Sequence, residues 1–158
     1  MSRQEIMLAE LGEPISHYTH AVRFGDLLFV SGCAPLDQHG ELVGRGDVLE
    51  QTRQVLGHLR ASLAAVGLEP SHVLKVTVYL TDIEDRTRIN PLRREFFGSS
   101  RPASTLVEVS RLAVPGMRVE IEAIAGFPDE RKAEHITQSD ASPPGSRSDG
   151  PPQSASRE

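Results

Sequence analysis

The run Met117–Ala125, reading MRVEIEAIA, sets two carboxylates in apolar surroundings: Glu120 and Glu122, flanked by Val119, Ile121 and Ile124. Alternation along a strand puts both on the face opposite Val119 and Ile121. A solvated sheet face accounts for this, and the local pattern by itself favours that reading. A pocket carboxylate also accounts for it, because partial burial raises the pKa of a carboxyl group toward the range where a general base works at neutral pH. Other chemistry-bearing groups are sparse. Cys33 is the single cysteine, following Ser31-Gly32 at the end of an apolar run. It reads as a small buried hydrophobe; as a nucleophile it would need a base, with His17 or His20 the available choices. Gly32 would let backbone approach a ligand closely, so that backbone donors become functional groups. His17 and His20 are three apart, but no second ligand pair follows at a zinc-site spacing. Neither a metal nor an organic cofactor is expected.

The elements that must position these residues follow from periodicity. Thr19–Arg23 and Leu27–Ser31 read as a hairpin turned at Gly25-Asp26. Met1–Glu13 is mixed and reads as a short first strand or extended arm. Asp37–Gly46 is a glycine-punctuated loop, and Asp47 can cap a helix running to about Val66. That helix has an apolar stripe of Val48, Val55, Leu59, Leu63 and Val66 and is closed by Gly67. Leu74–Leu80 is β-branched and apolar enough for a central strand. Asp82–Phe97 reads as a second helix, its inward residues Ile83, Ile89, Leu92, Phe96 and Phe97. Pro91 would kink it or mark its true start, with Asn90 as the cap. Thr105–Val109 and Met117–Ala125, separated by the turn-forming Pro115-Gly116, supply the last strands. The order gives an α+β domain over residues 1–128, one sheet with two helices on a single face. The other face also carries apolar positions that one chain has no layer to cover, so self-association is expected. From Asp129 the sequence turns to Ser, Pro, Gly, Asp and Arg, and 129–158 reads as a disordered tail.

Composition excludes several classes. A net charge of −5, two tyrosines and no tryptophan argue against a nucleic-acid surface, which needs a basic field and stacking platforms. No apolar run approaches the roughly 20 residues that span a bilayer. The N-terminus lacks a basic region followed by an apolar core, and one cysteine fits a reducing compartment, so a cytoplasmic location is expected.

Taken together, these segments resemble the reactive intermediate deaminase (Rid, YjgF-like) family. Pro102-Ala103-Ser104-Thr105, Val107-Glu108-Val109 and Val119–Ala125 resemble its C-terminal signature, P-A-R-S, VxV and (V/I)EIEAIA. Tyr18–Val22 resembles Y-S-x-A-V, and Phe29–Gly32 resembles F-x-S-G-Q. Gln51-Thr52, Leu63 and Ala65–Gly67 resemble Q-T and L-x-x-A-G, and Lys75–Leu80 resembles K-x-T-V-x-L. Asn90 with Phe96-Phe97 resembles N-x-x-Y-x-x-x-F. The match runs from about Pro14 to Phe127. The resemblance implies a chorismate-mutase-like α+β fold and a homotrimeric barrel with a small-molecule cleft at each subunit interface. It places Tyr18, Ser31, Asn90, Ser104, Thr105 and Glu120 in or near that cleft, with Gly32 and Cys33 beside them. Glu120 would position or activate the water that attacks an imine or enamine carbon. Asn90 has an equally good structural role as a helix cap.

The chain departs from the family at two functional positions. Ser104 stands where an arginine grips the substrate carboxylate, and Cys33 stands where glutamine follows Ser-Gly. A serine hydroxyl cannot reproduce a bidentate guanidinium. Either the ligand lacks a carboxylate or another base holds it, Arg101 and Arg118 being nearest in sequence; Arg118 also reads as solvated or salt-bridged. The substrate is therefore expected to differ from 2-iminopropionate. A non-catalytic binding trimer, or isomerase, cyclase or lyase chemistry in the same cleft, are the alternatives. Some relatives have been described as ribonucleases, a reading this composition does not support.

Overall fold

Gly25 turns the chain between two strands because it alone of the two central residues takes a positive φ, +60°, as a type II′ hairpin requires. The strands it joins are β2 (Ala21–Phe24) and β3 (Leu27–Cys33), with β1 (Arg3–Ile6) antiparallel to β2. This computed structural model describes residues 2–128; the tail expected from Asp129 lies outside the described residues. Helix α1 (Val48–Ala64) is capped as its sequence predicts, the Asp47 carboxylate accepting from the N–H groups of Leu49 and Glu50. Strand β4 (Val73–Leu80), helix α2 (Asp85–Phe97), β5 (Ala103–Glu108) and β6 (Val119–Gly126) complete the chain.

The six strands lie in the order β1-β2-β3-β6-β4-β5, and only β4 and β5 are parallel. The two last strands therefore do not pair with each other, although only a short loop separates them; β4 lies between them. Val76, Val78 and Leu80 of β4 and Val119, Ile121, Ala123 and Ala125 of β6 are buried and join one core with Leu28, Val30, Val55, Leu59, Leu63 and Ile89. Helix α1 packs across β3 and β6, with α2 beside it. The opposite sheet face is uncovered in the single chain: Phe24, Leu27, Phe29 and Val107 are all exposed. Among the described residues no helix is long and apolar enough to cross a membrane.

Two expectations about α2 are corrected. Pro91 does not begin the helix, and Asn90 does not cap it; both lie inside. The start is fixed upstream, where the Asp82 carboxylate accepts from Glu84 N–H and Glu108 accepts from Ile83 N–H. Pro91 is exposed, so its missing N–H costs one helical bond on the solvent side and displaces nothing in the core.

Candidate functional site

Glu120 is the centre of the geometry. The register of β3 against β6 jumps from Val30↔Ala123 to Cys33↔Ile121, so three steps of β3 oppose two of β6. The extra residue is a bulge at Ser31-Gly32, and it bends β3 toward the next outward-facing residue of β6, Glu120. A Cβ placed on Gly32 would lie 2.0 Å from Glu120 Oε1. Only glycine lets this carboxylate rest against the β3 backbone. Glu120 is half-buried, and its pKa is raised above the ordinary carboxylate value, first by desolvation and then by the charge of Glu122. Glu122 has a partner of its own, the Tyr79 hydroxyl, which donates to its Oε1 at 3.0 Å. The two carboxylates thus share a face, as alternation predicts, but have different surroundings.

Around the bulge, Tyr18, Ser31, Gly32 and Cys33 line one small cavity with His20 and His58. Glu120 is not one of its walls but packs against Gly32, which is. The cavity is about 50 Å³, room for a few waters rather than an organic substrate. Ser31 Oγ donates to Thr19 O at 2.6 Å, a bond that holds the bulge. Burial, and secondarily the charge of Glu120, pushes the Cys33 thiol up to about 12. It therefore stays protonated at neutral pH, the condition of a packing residue rather than a nucleophile. His20 is engaged elsewhere, its Nδ1 accepting from Leu8 N–H.

The remaining predicted residues lie elsewhere. Ser104 and Thr105 are on β5, the edge strand, separated from β3 by β6 and β4. Three interstrand steps amount to about 14 Å. Thr105 accepts from Lys75 Nζ at 2.6 Å. Asn90 lines an open cleft with Arg93, Arg94, Ser100 and Arg101, and Arg93 Nη2 donates to Ser104 Oγ at 3.0 Å. The structure thus divides the predicted residues into two groups that one chain does not bring together. Arg118 is committed elsewhere: its Nη2 pairs with Asp85 Oδ2 at 2.6 Å, and its backbone N–H donates to the buried Gln51. Arg93 escaped the sequence reading. The signal was present in its spacing, since residues 90 and 93 share one helix face.

Comparison with known proteins fits this fold. The family described as Endoribonuclease L-PSP matches residues 9–127. The chain belongs to the YjgF/RutC/Rid family. It is 44% identical over 124 residues to a RutC family protein of Pyrococcus horikoshii, covering 78% of this chain and 97% of that one. It is 35% identical over 123 residues to 2-iminobutanoate/2-iminopropanoate deaminase of Capra hircus, covering 78% and 89%. Among solved structures, a protein of the conserved Rid family from Yersinia pestis superposes with a TM-score of 0.75 at 34% identity, covering 80% of this chain and all of that one.

Proposed function

We propose that this Rid-family chain hydrolyses an imine or enamine, with Glu120 as general base, in a cleft formed where subunits of a homotrimer meet. The observation that carries the reading is the Glu120 carboxylate, half-buried against Gly32 with its proton affinity raised by burial. A base of that kind accepts a proton from water near neutral pH. As the water oxygen attacks the C=N carbon, the proton passes to Glu120 and the π pair to nitrogen. Glu120 returns that proton to nitrogen, giving the carbinolamine; the hydroxyl proton then passes by way of Glu120 to nitrogen as the C–N bond breaks and the C=O bond forms. The sum is imine plus water to carbonyl compound plus ammonia, with no redox partner. An enamine reaches the same path after protonation at carbon.

The trimer is supported by two features. The sheet face bearing Phe24, Leu27 and Phe29 is exposed, and the β3–β6 group and the α2–β5 group are too far apart to serve one substrate within a chain. A neighbouring copy could set its α2–β5 group opposite Glu120. The substrate need not be 2-iminopropionate, since Ser104 changes the wall facing it.

The test uses imines generated in situ by an amino-acid oxidase from several amino acids, with ammonia release measured. Glu120→Gln keeps shape but cannot accept the proton, and is expected to lower turnover about a hundredfold or more. Glu122→Gln should change it little. Loss in Cys33→Ser but not in Glu120→Gln would move the chemistry to the thiol, and no turnover of any imine would leave a binding role. Light scattering is expected to give three chains per particle; a stable monomer at micromolar concentration would remove the intersubunit cleft.

A further inference from the structure

Three guanidinium groups, those of Arg93, Arg94 and Arg101, surround the cleft beside α2, and no carboxylate lines it among the described residues. In a chain of net charge −5 this is a local reversal of sign. Arg94 and Arg101 are exposed, where water and salt screen them. Arg93 differs from both. It is half-buried, its Nη2 is held by Ser104 Oγ at 3.0 Å, and its Nε is buried with no acceptor among the described residues. Burial also pulls the guanidinium below its ordinary pKa. A buried donor without a partner is costly and marks a place where an acceptor belongs. The pattern that Asn90 and Phe97 fit has tyrosine where this chain has Arg93, so the departures at 93 and 104 meet at one hydrogen bond.

We infer that Arg93 is a specificity-determining anchor that grips the carboxylate of a small 2-imino or 2-oxo acid, with Ser104 orienting its guanidinium. This rests on the cleft being the site of imine hydrolysis, and it restores a carboxylate to the substrate. The planar fork absent from the strand is delivered to the same place by the helix. Ser104 is then the short partner that leaves room for it. A fork arriving from α2 rather than β5 holds the acid at a shifted position, so the preferred acid need not be the shortest one.

The experiment is calorimetric titration of the full chain with pyruvate and 2-oxobutanoate, each against its primary amide, which has the same shape without the charge. The wild type should prefer at least one acid over its amide roughly tenfold or more. Arg93→Ala should abolish that preference, Arg93→Lys should keep part of it, and Arg101→Ala should keep most of it. Circular dichroism checks the fold of each variant. If Arg93→Ala does not fold, Ser104→Val, a change at an exposed position, is expected to weaken the acids and not the amides. The inference is overturned if the wild type prefers neither acid, if Arg93→Ala retains the preference, if Arg101→Ala removes it, or if inorganic phosphate binds more tightly than both acids. Binding is read apart from turnover. Acid preference that follows Arg93 in a protein hydrolysing no imine refutes the reaction alone. Hydrolysis unaffected by Arg93→Ala refutes the anchor alone.

Discussion

The β3–β6 junction and the α2–β5 corner handle charge in opposite ways. At the junction a carboxylate is pressed against glycine backbone; burial and the charge of Glu122 raise its proton affinity, and its own charge adds to the burial that keeps the Cys33 thiol protonated. At the corner, guanidinium groups surround an open cleft that no acid lines among the described residues. Crowding raises proton affinity, which suits a base; unopposed cations attract an anion and position it. The two regions divide the labour. The interior of the sheet tunes protons because strands there are paired on both sides and hold a side chain still. The edge strand and helix end supply binding because they remain open.

The largest effect is expected at Gly32. Gly32→Ala puts a methyl group 2.0 Å from Glu120 Oε1, so the carboxylate or the bulge must move. Turnover is expected to fall about a hundredfold, since displacement of a catalytic group by about 1 Å has that effect. The atoms met all belong to the flexible Glu120 side chain, which can swing aside, so stability should fall by only about 1 kcal/mol in denaturant titration. Wild-type turnover in this variant would show that Glu120 need not rest on β3.

A second substitution tests whether the corner depends on the support beneath it. Asp85 is buried and pairs with Arg88 and Arg118, tying α2 to the approach to β6. Asp85→Ala leaves Arg118 without its partner and is expected to destabilise by about 1–3 kcal/mol, read as a shift in the urea midpoint. Acid-over-amide binding should persist if the corner is held by Arg93 and Ser104 themselves.

The pH dependence sharpens the junction. Glu120 has its pKa raised on folding, so its ionised form is the one folding disfavours. Its contribution to stability therefore improves as pH falls through the folded pKa, the reverse of a paired carboxylate. Activity runs the other way, because the base must be ionised, and the acid limb of the rate profile should lie above the ordinary carboxylate value. Glu122→Gln removes the like charge and should move that limb to lower pH, by about one unit or less. A limb that does not move would uncouple the two carboxylates.

The smallest effect is expected at the thiol. With its pKa pushed up to about 12 and the side chain buried, Cys33 should resist a thiol-specific reagent in the native protein at pH 8 and react after denaturation. Cys33→Ala should change turnover by about twofold or less. Rapid native labelling would return the thiol to the list of reactive groups.

Much of the fold was legible in the residues themselves. The Gly25-Asp26 turn, the Asp47 cap, the stripe of α1 and the alternation that sets Glu120 and Glu122 on one face are local consequences of φ preference, side-chain reach and period. Packing decided what local rules leave open. Pairing of β6 with β3 and β4, rather than with its sequence neighbour β5, depends on which apolar faces the whole core can bury. The beginning of α2 depends on Glu108, a residue beyond the helix altogether. The fate of Arg118 was set by buried Asp85, and the prominence of Arg93 by its meeting with Ser104 across eleven residues of chain. Sequence by itself determined the elements, the family pattern and the loss of arginine at position 104. Only tertiary structure decided that another guanidinium reaches the same serine, because proximity between a helix and an edge strand is set by the core beneath them and not by spacing along the chain.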